Sequence, residues 1–274
     1  MTHIVENIKS AVTSILIEDY SSVCNQVMDY IHSFQSYDEV DNHNYNLKRE
    51  HTNKVIGYTE VLTRILKCDE DTVLIAEMSA LLHDVGRFEQ YRIYKSFLDS
   101  ESKDHAEIAL KLIEENGWLD SLSKFSRNMI KKAIYYHNKY SISETENPAV
   151  VFISKILRDA DKIDILDIAS KEFSEEAKIK NPAFSYNLKE SDEVSRPVLF
   201  SMLSGKMPDK KDLRTVADFK MLQMSLVYDL NFSESFSIIN KNKCLKRIFE
   251  TLPLDDEIYE AYNKARVFVE NRLK

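Results

Sequence analysis

Glycine and proline are scarce in this chain, with four and five in 274 residues. Sheets joined by tight turns draw heavily on both, so the shortage speaks against a β-rich fold. With abundant Leu, Ile, Lys and Glu it points to long helices and few sharp turns, an all-α class. Cysteine is also sparse. Cys24, Cys68 and Cys244 are far apart with no CxxC, which excludes a disulfide framework or zinc-finger spacing. They read as three reduced, packed thiols. No apolar run reaches the roughly 18 residues of a membrane-spanning helix. The stretch Met1 to Ser10 carries Glu6 and has no apolar signal core, so a cytoplasmic location is expected. A Gly-rich phosphate loop is missing, which sets P-loop chemistry aside. The net charge of −8 argues against bulk nucleic-acid binding. It still permits a small anionic substrate, because bound cations reverse the local field.

The length suffices for one large core or two smaller ones. Ile4, Ile8, Val12 and Ile15 form a helical stripe, and a second helix is expected over about Ser21 to Phe34. Ser36 to Asn46, rich in Asp, Asn and Tyr, reads as a loop. Helices follow over about Lys48 to Lys67, Asp69 to Asp84 (stopping near Gly86), His105 to Gly117, Ser123 to Asn138 and Pro148 to Ser170. Asp104-His105-Ala106-Glu107 reads as a capping box. Lys171 to Leu213 holds Pro182, Pro197, Gly205 and Pro208 and should form long connections with short helices. Two or three helices finish the chain, including Arg214 to Tyr228 and Leu254 to Leu273. With no clear linker, one compact domain is expected: a core over about 48–170 with helical additions at 1–47 and 171–274.

The informative residues are polar ones on apolar faces. A surface helix buries positions i, i+3, i+4 and i+7. His51 is in register with Val55, Tyr58 and Leu62. His83 follows Ala76, Ser79 and Ala80, with Asp84 next to it. His105 lines up with Ala109, Leu112 and Ile113, and His137 continues Ile130, Ala133 and Ile134. Asp161 interrupts the stripe Ile153, Leu157, Ile165, Ile168. Taken alone, any such histidine is more often a hydrogen-bonded core residue, and Asp161 could pair with Lys162 or Arg158. Together, two carboxylates and four imidazoles aimed at one core are best reconciled by one or two divalent cations. His3, His32 and His43 lie outside this pattern and are given no role.

His51, then His83-Asp84, then Ala160-Asp161-Lys162 resembles the HD-domain superfamily of metal-dependent phosphohydrolases. The context Leu81-Leu82-His83-Asp84-Val85-Gly86-Arg87-Phe88 is similar to its central motif. The resemblance covers about residues 48–170. It implies a helical fold with His51, His83, Asp84 and Asp161 as the first metal site. His105 and His137 match the extra histidines of the two-metal branch, where they would hold a second ion with Asp84 as the bridge. That branch contains cyclic-nucleotide and cyclic-dinucleotide phosphodiesterases and a few di-iron oxygenases. The Gly-Tyr-Pro tripeptide of the cyclic-di-GMP subgroup is missing here.

The chemistry such a set serves is hydrolysis of a small phosphate ester, such as a nucleotide, by metal-activated water. His and Asp ligands suit Mn, Fe, Ni, Co or Zn, with Mg also compatible. Asp84 would bridge the ions and position the water. Arg87 and Lys162 are candidates for contacting phosphate, Lys162 also for orienting Asp84. Tyr91, Arg92, Tyr94 and Lys95 are candidate pocket residues or an exposed charged segment. Asp159 and Asp164 flank Asp161 without being first choices as ligands. Two alternatives remain: a di-iron oxygenase on the same ligand set, and a non-catalytic helical protein stabilised by the metal.

Overall fold

Asp69 accepts a hydrogen bond from the Thr72 N–H and starts a helix with almost no polar face. Burial takes Thr72, Leu74, Ile75, Ala76, Met78 and every residue from Ser79 to Leu82. Only a helix surrounded by others can be apolar all round. The computed structural model, which describes residues 17–173 and 183–273, shows those neighbours. The first helices are α1 (Ile17–His32), α2 (Glu39–Ile65), α3 (Glu70–Leu82), α4 (Val85–Tyr94), α5 (His105–Asn116), α6 (Lys124–His137) and α7 (Pro148–Glu172). Helices α1, α2 and α6 all pack against α3, while α4 pairs with α5. The stripe over Ile4 to Ile15 lies outside the described residues.

The fold divides into two compact units, Met1–Asp161 and Lys162–Lys274, with the boundary inside α7. The second unit contains α8 (Arg196–Leu203), α9 (Val216–Ser225), α10 (Ser233–Lys241), α11 (Cys244–Phe249) and α12 (Asp256–Glu270). Its centre is α9, buried along its length and opened by a reciprocal capping box between Thr215 and Asp218. The described residues are helices and connections, with one isolated parallel bridge between Lys189 and Thr215. The all-α expectation therefore holds. No helix among them is long and apolar enough to cross a membrane.

Three local expectations need correction. The polar stretch before Lys48 is helical from Glu39, because Asp38 caps α2 by accepting from the Val40 and Asp41 N–H groups at 2.9 Å. Its polar side chains find internal partners, as when Asn44 donates to the Tyr91 hydroxyl at 3.0 Å. Helix α3 ends at Leu82 rather than Asp84, and His83-Asp84 forms the sharp joint to α4, a helix that periodicity did not reveal. Gly86 is no C-terminal stop. A Cβ there would sit 2.2 Å from the His105 carbonyl oxygen and 2.7 Å from the Ala109 nitrogen. Glycine is what allows α4 to lie against the start of α5. Lastly, four α-helices, α9 to α12, finish the chain, because the short α10 and α11 are too brief for a clear period.

Candidate metal centre

Five elements of the first unit deliver the ligand candidates. His51 comes from the middle of α2, His83 and Asp84 from the α3–α4 joint, His105 from the first turn of α5, His137 from the last turn of α6, and Asp161 from α7. All six are buried. Asp104 starts α5 by accepting from the Ala106 N–H, and Gly117, at φ 64°, ends it. Ser123 caps α6 through the Ser126 N–H.

The side chains fall into two groups, His51 with His83 and Asp161, and Asp84 with His105 and His137. In the first, Asp161 Oδ1 is 3.1 Å from His51 Nε2 and 3.7 Å from His83 Nε2, and the two Nε2 atoms are 3.3 Å apart. In the second, His105 Nε2 lies 2.9 Å from His137 Nε2. Asp84 stands between them. Its Oδ2 faces His51 and His83 at 3.5 and 3.8 Å. Its Oδ1 faces His105 and His137 at 3.4 and 3.9 Å.

Tautomers test whether a cation fits. His83 Nδ1 is 2.7 Å from the Ala80 carbonyl oxygen and His137 Nδ1 is 2.6 Å from that of Ile134. His105 Nδ1 is 2.9 Å from both oxygens of Asp99. Each of these Nδ1 atoms faces an acceptor and therefore carries the proton, leaving a lone pair on Nε2 in the neutral ring. Two such lone pairs at 2.9 Å repel unless a cation lies against both. Burial, with Arg87 nearby, pushes the His105 pKa down; burial, with His105 and His83, pushes His137 well below the ordinary imidazole value. Burial opposes the charge on Asp84, yet the positive charges of Lys48 and Arg87 hold its carboxyl well below the usual range. Burial opposes Asp161 likewise, and a hydrogen bond from His51 brings it down. Neutral imidazoles beside ionised carboxylates are the form that binds a divalent transition ion.

Several surrounding residues were not legible as part of this site. Lys48, one turn before His51, reaches Asp84 Oδ2 at 2.8 Å and lies over the Phe97 ring. Its spacing of three from His51 is the signal that places it on the same face. Asp99, in a short 3₁₀ turn, orients His105; nothing in the helical periodicity points to it. Arg87 was expected at a phosphate, but its guanidinium is engaged inside the protein. Nη1 donates to Gln90 Oε1, the Phe97 carbonyl and Asp99 Oδ1 at 2.6, 2.7 and 2.9 Å, and Nε is 3.5 Å from Asp84 Oδ1. Arg158 donates to the carbonyls of Tyr136 and Lys139, both at 2.6 Å. Within the second unit, Lys162 pairs with Asp229 at 2.8 Å. Tyr91 and Lys95 bind Asp41, and Arg92 binds Glu89, so these residues hold local structure. Asp159 and Asp164 are buried. A recess of about 590 Å³ lined by His32, Asn42, Asn46 and Arg49, among others, contains none of the six ligand candidates. There Arg49 caps the end of α1 through the carbonyls of Ile31 and Phe34.

Residues 49–168 match the model of the family described as HD domain. The match spans all six ligand candidates and somewhat under half of the chain. No curated protein and no solved structure matches.

Proposed function

With an HD domain over residues 49–168 as the premise, we propose that this chain is a metal-dependent phosphohydrolase acting on a small phosphate ester, such as a nucleotide. The observation that carries the reading is Asp84. One carboxylate presents one oxygen to the His51/His83 pair and the other to the His105/His137 pair. We place a first divalent ion with His51, His83, Asp84 and Asp161, and a second with Asp84, His105 and His137. Ions held there supply activated water at neutral pH and offset charge growing on phosphoryl oxygens.

The chain's own residues do the rest. Carbonyl and carboxylate partners on Nδ1 lock His83, His137 and His105 with Nε2 facing inward. Arg87 ties Asp99 to the Phe97 carbonyl and steadies Asp84, which makes it a positioning residue rather than the phosphate contact. Lys48 is the cation we place on the substrate. Its side chain is 17% exposed, against 5% for Asp84, so it is the more accessible member of the pair and the one an arriving anionic group meets. Nitrogen-rich donor sets favour Mn, Fe, Co, Ni or Zn over Mg. Three free thiols, Cys24, Cys68 and Cys244, accord with the cytoplasmic location we assign.

The test is to purify the chain without chelator and measure transition metal per chain, with His83→Ala and Asp84→Ala as controls. Phosphate mono- and diesters are then screened with Mn, Co, Ni and Fe. Metal in the native chain, lost entirely in Asp84→Ala and in part in His83→Ala, supports the reading. A native chain that takes no metal even after reloading sinks it. Four imidazole nitrogens also suit a di-iron pair. Iron uptake with oxygen consumption and no phosphate release would replace the hydrolase reading with an oxygenase.

A further inference from the structure

His51 sits in the middle of a long helix, but His105 and His137 sit at helix ends, where backbone groups lack intrahelical partners and the chain frays. Something must hold those two ends together for their Nε2 atoms to meet at 2.9 Å. Asp104 touches both. As N-cap of α5, immediately before His105, its Oδ1 accepts the Ala106 N–H at 2.9 Å. The same oxygen accepts from Asn138 Nδ2 at 2.7 Å, and Oδ2 pairs with the Lys139 ammonium. Asn138 is the C-cap of α6, immediately after His137. One carboxylate therefore fastens the residue following one histidine to the residue preceding the other. Arg158 adds a second hold on the same end of α6 through the Tyr136 and Lys139 carbonyls.

We infer that Asp104 is a positioning residue for the second ion, a clamp that sets the His105–His137 pair independently of the His51–His83–Asp161 group. The inference rests on the two-ion reading above. None of its bonds goes to His51, His83 or Asp161, so losing the clamp should weaken one ion and spare the other.

Asp104→Ser and Asp104→Asn separate this from a general structural role. Serine is a good N-cap but too short to hold Asn138 and Lys139, whereas asparagine keeps both the cap and an acceptor for Asn138. Each full-length variant is titrated with Co(II), reading stoichiometry by elemental analysis and site geometry by visible absorption, with melting of the metal-free chains alongside. The expected result is two ions in the wild type and in Asp104→Asn. Asp104→Ser should keep the first and bind the second at least about tenfold more weakly, the loss of one charge-assisted hydrogen bond or more. If Asp104→Ser does not fold, Asn138→Ala with Lys139→Ala removes the same ties and leaves the cap intact. Wild-type affinity for both ions in these variants, or equal loss of both, overturns the clamp while leaving the two-ion reading standing. A wild-type chain that takes only one ion fails that reading first, and the clamp with it.

Discussion

The Lys48 ammonium stands 2.8 Å from Oδ2 of Asp84, the same oxygen that faces His51 and His83. The pair sets a cation beside the carboxylate that faces both histidine pairs. A cation there keeps Asp84 ionised and is also the group an arriving phosphate would meet. Lys48→Met should therefore leave metal stoichiometry unchanged. It should lower kcat/KM for whichever phosphate ester is turned over by about 10–100-fold, the loss of a charge-assisted hydrogen bond of about 1.5–3 kcal/mol. Inorganic phosphate should inhibit the variant more weakly, and Lys48→Arg should recover part of the loss. Unchanged phosphate inhibition in Lys48→Met would confine Lys48 to a structural role.

Asp84 serves both histidine pairs and His83 only one. Asp84→Ala should empty the centre, whereas His83→Ala should chiefly weaken the ion shared by His51 and Asp161. Competition against a chelator gives the two affinities separately. Removing a direct ligand is expected to cost at least about a hundredfold, beyond the 10- to 100-fold typical of outer partners. Equal behaviour of the two variants would argue against a bridging carboxylate.

Gly86 makes a further prediction, one of packing. A methyl group there meets the His105 carbonyl and the Ala109 nitrogen, both backbone atoms that cannot swing aside. Gly86→Ala must push α4 away from α5 and take His105 with it. Destabilisation of about 1–3 kcal/mol is expected, the usual range for overpacking, with weaker binding of the second ion. Urea denaturation and a metal titration check both. A variant with wild-type stability and metal uptake would show that the two helices can slide apart freely.

The same region shows what the sequence could and could not display. His51, His105, His137 and Asp161 each sit on an apolar helical face, so periodicity alone marked them. The His83-Asp84 joint was visible as a motif, but not as a joint, because the apolar pattern of α3 runs on into Val85 and Phe88 without a break. Asp99 reaches His105, and Asp104 reaches Asn138 beside His137, from turns, where no period exists to reveal direction. Arg87 and Lys48 illustrate the complementary difficulty. Both are cations near the motif, and only the fold shows that Arg87 turns to Asp99 and the Phe97 carbonyl while Lys48 turns to Asp84. The segment from Glu39 looked like a loop because its polar residues are satisfied by partners distant in sequence, among them Tyr91.

Acid should destabilise the metal-free chain in two stages. Burial holds the folded pKa of His105 and, more strongly, His137 below the ordinary value, while in the unfolded chain both titrate near about 6.5. As pH falls through about 6.5 the unfolded state takes up protons that the folded state refuses, so stability drops. The slope approaches about 1.4 kcal/mol per pH unit for each such group until its folded pKa is reached. Asp84 and Asp161, held low in the fold, extend the loss below about 4, where the unfolded carboxylates protonate first. Bound metal stabilises the folded state by mass action, so chelation should lower the melting temperature at pH 7.5. The loaded chain should lose that advantage over the same acid range, because protons compete for the Nε2 atoms. Urea denaturation of the chelated chain at about pH 7.5, 6.5 and 5.5, beside His137→Gln, measures the first stage; the wild type should fall and the variant should fall less. Identical slopes would mean that His137 accepts a proton in the folded chain as readily as in the unfolded one, which would remove the argument that its lone pair is held ready for a metal.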